Sequence, residues 1–212
     1  MISTKNLLAL PDSSLLQAAC KAMALLDAIL CQDWVYRYYS YNSEWSEDEE
    51  FFEMRNGEGD QLLILFKEEG TVINGYFAEA TQGDKTQLTS GLPEIFHEFI
   101  FGEPVNSTGT TFCVWKTSGL EWQTGINTEE DNHSEELLSP LDGKPATYIK
   151  WAIGYFEVHH LNEAIPAAVV ESIFNHETLT KDMVLLLVDE LEDWDQLIED
   201  LIEISYPYHI NS

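Results

Sequence analysis

Residues 50–77 read EFFEMRNGEGDQLLILFKEEGTVINGYF. Three runs stand out: Glu50–Arg55, Gln61–Phe66 and Thr71–Phe77, each dense in aromatic, β-branched or large aliphatic residues. Between them lie Asn56-Gly57-Glu58-Gly59-Asp60 and Lys67-Glu68-Glu69-Gly70, polar and glycine-bearing connectors. Linkers this short close hairpins; a parallel crossover needs about a dozen residues. Upstream, Trp34–Ser40 (WVYRYYS) has the same β-rich texture, so the spacing predicts an antiparallel meander of about four strands. Thr110–Lys116 (TTFCVWK) adds a fifth.

Outward from the meander the pattern turns helical. Residues 13–31, SSLLQAACKAMALLDAILC, place Leu16, Ala19, Met23, Leu26 and Leu30 near helical spacing, and Asp12 or Ser13 is placed to cap them. Leu92–Phe101 predicts a short amphipathic helix with Pro93 in its first turn. Asn127–Glu136 is polar and aperiodic and reads as a surface loop. Ala146–Phe156, Pro166–Phe174, Leu179–Leu187 and Trp194–Ile204 each read as helices. The expected fold class is α+β: a single domain over 1–212 with an N-terminal helix within 1–33, mainly strands over 34–120 and a helical part over 140–205. Its antiparallel sheet of about five strands packs against N-terminal and C-terminal helices.

The chain has 212 residues, 44% hydrophobic and 12% aromatic, which is ample for a core and excludes wholesale disorder. Against 38 Asp+Glu stand 10 Lys+Arg, a formal charge of −28. The bases are scattered singly, and none follows Lys181, whereas Asp189, Glu190, Glu192, Asp193, Asp195, Glu199, Asp200 and Glu203 do. Such a field repels phosphates and anionic headgroups and steers cationic partners inward. The expectation is no nucleic acid, no membrane and a basic protein partner; the bland reading of the same charge is solubility. Cys20, Cys31 and Cys113 have neither disulfide-framework nor metal-type spacing and read as small core residues. No signal-peptide pattern and no run of about 18 consecutive apolar residues is apparent, so the compartment reads as cytoplasm. Oligomeric state stays open.

Chemistry-bearing patterns are few. Glu44, Glu47, Asp48, Glu49, Glu50 and Glu53 surround Trp45, which reads either as an acidic docking surface with an aromatic anchor or as a solvated turn. Arg55 stands among acids, with internal ion pairing expected; Glu53, Glu58 or Asp60 beside it would serve acid–base chemistry only with burial or crowding. The histidines, including the adjacent His159-His160, lack the i, i+4 spacing of a zinc pair, so no metal and no cofactor is expected. No nucleophile elbow or phosphate-cradling glycine loop occurs. Asp193 and Trp194 open an amphipathic helix whose wet face is acidic, read as a decoy for a basic protein or as an ordinary terminal core helix.

Met54–Asp60 (MRNGEGD), then LLILF, LPEIFHEFI, TTFCVWK, LDGKPATYIKWAIGYFEV and HETLT, taken in that order, resemble a family of uncharacterised bacterial proteins. Its marks are an M-R-[ND]-G-x-G-D hairpin and a Y-x-x-W-A-x-x-Y helix, here Tyr148 to Tyr155. The resemblance covers roughly residues 35–208 and implies a domain extent without an activity. Where that family has a histidine-bearing string, this chain has Gly75-Tyr76-Phe77-Ala78-Glu79-Ala80, which argues against a catalytic or metal role for the strand. The function expected is a non-enzymatic, immunity- or antitoxin-like inhibitor of a basic partner. It would bind through Glu44, Trp45, Glu47, Asp48, Glu49, Arg55, Asp193 and Trp194. The alternative is a small hydrolase or transferase using carboxylates near Arg55.

Overall fold

A computed structural model describes residues 1–81, 83–127, 131–156 and 165–210. The paired histidines 159 and 160 lie outside these described residues. Six strands form one antiparallel sheet in chain order: β1 (Tyr39–Ser46), β2 (Glu49–Arg55), β3 (Gln61–Lys67), β4 (Gly70–Tyr76), β5 (Phe112–Thr117) and β6 (Gln123–Thr124). The helices are α1 (Ser13–Leu30), α2 (Lys85–Leu88), α3 (His97–Phe101), α4 (Val105–Thr108), α5 (Ser134–Leu138), α6 (Pro145–Tyr155), α7 (Ala167–Phe174), α8 (Lys181–Leu187) and α9 (Trp194–Ile204). Two-residue strands β7 (Leu179–Thr180) and β8 (Tyr208–His209) pair in parallel. The α+β class and the antiparallel meander are as expected, with one more strand.

Hairpin chemistry sets the register. Asn56 accepts backbone N–H bonds from Glu58 and Asp60 through its side-chain oxygen (2.8 and 3.0 Å), and Gly57 and Gly59 take the positive φ values of +76° and +110° that the turn needs. β2 and β3 consequently align with Arg55 opposite Gln61 and Phe52 opposite Ile64. Gly75 faces Phe112, whose ring lies where a Cβ would be, 2.1 Å away. Only a bare backbone lets β4 pass under that ring.

Both faces of the sheet are covered. Residues of alternate parity, Tyr39, Tyr41, Phe52, Met54, Ile64 and Phe112, enter the larger core with α1 and the C-terminal helices. Phe51, Leu63, Leu65, Val72, Cys113 and Trp115 form a second cluster with Phe96, Phe99, Ile100 and Val105 from the β4–β5 connection. Strands apolar at both parities need cover on both sides, and the short helices α3 and α4 supply it.

Helix α1 is the central element of the larger core. Leu16, Cys20, Met23, Leu25, Leu26 and Ile29 are all 2% exposed or less. By length and composition α1 is long and apolar enough to cross a membrane, yet most of it is buried against protein. Asp12 occupies its N-cap, but the carboxylate pairs with Lys116 of β5 (2.8 Å). Cys20 and Cys113 are core residues as expected, while Cys31, at the C-cap of α1, is half-buried.

Three local readings are corrected. Trp34–Tyr36 is a 3-10 turn, because the Asp33 carboxylate accepts the Val35 N–H (3.1 Å) and curls the backbone before β1 starts. The strand therefore runs on to Ser46, so the acidic run is a hairpin tip. Ser134–Leu138, partly inside the expected loop, is helical: Leu137 and Leu138 are buried and Ser134 is bonded to Asn132 and Thr4.

Candidate functional site

The first strand pair carries the site. Ser46 pairs with Glu49, leaving Glu47 and Asp48 as the two-residue turn, where Asp48 has φ +61°. Aspartate tolerates that left-handed conformation better than most side chains. Trp45, 41% exposed, stacks on Phe51 with ring centroids 4.3 Å apart, so the buried phenylalanine orients the exposed indole.

Around this tip the carboxylates divide into spent and unspent. Glu50 pairs with Lys21 (2.7 Å) and accepts the Tyr41 hydroxyl (2.7 Å). Glu49 pairs with Lys67 (2.8 Å), whose ammonium is held above its ordinary range chiefly by that bond. Among the described residues no base pairs with Glu44, Glu47, Asp48 or Glu68. Glu44, Asp48 and Glu68, with the paired Glu49 and Glu50, line an open groove of about 560 Å³ that also takes in Gln17, Ser43 and Phe66.

A smaller pocket of about 120 Å³ opens between β1 and α9. Trp34, Trp45 and Phe51 form aromatic walls, and Glu53 and Glu203 bring carboxylates from β2 and α9. Arg37 and Asp200 also line it, joined by two bonds of 2.7 Å each, with Arg37 Nε donating to the Cys31 carbonyl (2.9 Å). Asp200, counted in sequence among the wet acids of α9, is thus a buried ion-pair partner at 5% exposure. Burial pushes the Glu53 carboxyl up against the opposing pull of Arg55. Glu203 is likewise raised, by burial first and then by Asp200.

Arg55 is placed differently from expectation. Its guanidinium sits 3.7 Å from the Trp34 ring centre and donates to the Trp34 carbonyl (2.8 Å), not to an acid. It shares a sheet face with Glu53 two residues away. Asp60 is committed to structure, accepting the Ala78 N–H (2.8 Å) and the Asn56 amide (2.6 Å). Asp193 caps α9 through the Gln196 N–H (3.0 Å). Trp194 packs partly buried against the main core under Lys181, 4.9 Å from its ring.

The sequence-named residues therefore fall in three places. Glu44, Trp45, Glu47, Asp48 and Glu49 share the hairpin tip; Asp193 and Trp194 stand at the start of α9, and Arg55 joins Trp34 on the sheet face. Missed in sequence were Trp34, Glu53 with Glu203 as a pair, and the Arg37–Asp200 base. Glu53, Asp200 and Glu203 were each named in sequence, but their convergence leaves no sequence trace, since 163 positions separate Arg37 from Asp200. Among the described residues no three His, Cys, Asp or Glu side chains converge as metal ligands. His97, His133 and His176 contact, respectively, the Leu92 carbonyl, Glu136 and the Ala18 carbonyl. Compared with known families, curated proteins and solved structures, the chain matches none.

Proposed function

We propose that this protein is a non-enzymatic, acidic protein-binding module of the cytoplasm, an immunity- or antitoxin-like inhibitor that engages a basic protein. What carries the reading is the β1–β2 tip, where an exposed, pre-oriented Trp45 stands among Glu44, Glu47 and Asp48, carboxylates without internal bases. Unspent charge at a rim raises association rates, and a packed aromatic within it supplies the contact that desolvates. The −28 charge of the whole chain adds long-range attraction for a cationic surface and repulsion for nucleic acid and anionic membrane. The alternative, a hydrolase or transferase working beside Arg55, has less support: Arg55 is stacked on Trp34 and Asp60 is bonded within its turn.

The test is affinity capture from native bacterial lysate at low and high salt. The wild-type chain is compared with W45A and with the triple variant E44Q/E47Q/D48Q. A basic protein retained at low salt by wild type, and lost or weakened about tenfold by either variant, supports the reading. Equal capture by all three, or association insensitive to salt, overturns it.

A further inference from the structure

The 120 Å³ pocket beside α9 is far below the roughly 300–1,000 Å³ of sites that enclose drug-sized ligands. It is sized for one side chain. Three carboxylates line it, from Glu53, Asp200 and Glu203, against one cation, Arg37. Asp200 already neutralises Arg37 through a two-pronged bond. Glu203 has a single acceptor contact, from the Asn42 amide at 3.2 Å, and Glu53 has no hydrogen-bond partner among the described residues. Glu53, half-buried on β2, and Glu203, exposed on α9, thus face one small space whose lining cation, Arg37, is already taken by Asp200. Trp34, Trp45 and Phe51 give it aromatic wall, and Trp34, 54% exposed, already takes the Arg55 guanidinium on its ring.

We propose that this pocket receives a single arginine side chain of the basic partner, its guanidinium shared between Glu53 and Glu203 and its flat face against the Trp45 indole. The inference rests on the protein-binding reading and names the group that the site recognises. Arginine fits better than lysine for geometric reasons. A planar fork can address carboxylates from two directions while stacking on a ring, and it is more weakly hydrated than an ammonium. Burial displaces both carboxyls upward although Arg55 pulls on Glu53 and Arg37 on Glu203 in the opposite direction, so neither nearby guanidinium fully compensates its acid.

The probe is N-acetyl-arginine amide titrated into the full chain, with N-acetyl-lysine amide as comparison, observed through the indole N–H resonances. Shifts confined to the Trp34 and Trp45 indoles, saturating at millimolar arginine amide and at least threefold weaker with lysine amide, support the proposal. In E53Q and E203Q singly, and in the pair, the arginine shifts weaken about tenfold. Removing unpaired carboxylates leaves the melting temperature unchanged or raised, so loss of binding is not loss of fold. Absent shifts, equal binding of lysine amide, or shifts unaltered in the double glutamine variant overturn it. The titration needs no partner. Failed capture from lysate therefore sinks the inhibitor reading, whereas failed titration alongside successful capture sinks only the arginine pocket.

Discussion

Asp27 is an acid in the middle of an apolar helix, fully buried at 0% exposure. It accepts the Tyr148 hydroxyl (2.7 Å) and the backbone N–H groups of Tyr39 (2.9 Å) and Tyr38 (3.2 Å). One carboxylate thereby ties α1 to α6 and to the backbone entering β1. Burial raises its pKa to about 7, with those three donors pulling the other way. The sign follows directly. The folded state holds this proton more tightly than the unfolded chain, whose aspartates titrate near their ordinary value of 3.8. The contribution is therefore fully present below about pH 4 and fades as pH rises through about 7. The loss is at most about 4 kcal/mol, since one pKa unit is worth about 1.4 kcal/mol. Denaturant unfolding at a series of pH values, wild type against D27N, should show their stability difference moving against wild type across that window. A pH-independent difference would mean that the carboxyl is ionised throughout.

At the scale of elements, α9 is bound to the sheet edge by the Arg37–Asp200 pair, buried at 6% and 5% exposure. Breaking one partner of such a pair strands the other charge in the interior, at a cost of about 3–5 kcal/mol. R37M alone should lose that much in urea unfolding, while R37M/D200L, which removes both charges, should recover most of it. Equal losses in both would show that shape, not charge, holds α9. The same elements show how far sequence reading reaches. Asn56-Gly57 and its neighbours encode a hairpin in adjacent residues, so β2–β4 were legible to within a residue or two. The pattern at Trp194–Ile204 likewise gave α9 its observed bounds. Trp34–Tyr36 misled because strand propensity there yields to one aspartate side chain bonded two residues on. β6, two residues long, is too short to leave any periodicity. The hairpin-tip carboxylates were visible because they are contiguous; the pocket was not, because it assembles residues from 24 to 204.

For the whole molecule, 38 acids facing 10 bases make self-repulsion a standing cost of compactness. Among the described residues the Arg37–Asp200 pair is buried, where salt reaches it least. Raising salt from about 20 mM to about 300 mM shortens the Debye length from roughly 20 Å to about 6 Å. Melting temperature should climb by several degrees over that range while partner association slows. A flat or falling melting temperature would show that attractive pairs, not repulsion, dominate the balance. The two responses have one origin in the same surplus of carboxylates.

The wall of the small pocket is pinned at both ends. Gln32 exchanges two bonds with the Asp193 backbone (2.6 and 2.9 Å) at the start of α9. Just beyond its end, β8 pairs with β7, and the Tyr206 hydroxyl donates to the Ile173 and Glu177 carbonyls. A helix fastened in this way does not swing aside to admit a guest. Docking then has no gate to wait for, and stopped-flow traces should be single-exponential, with a rate linear in concentration up to the mixing limit.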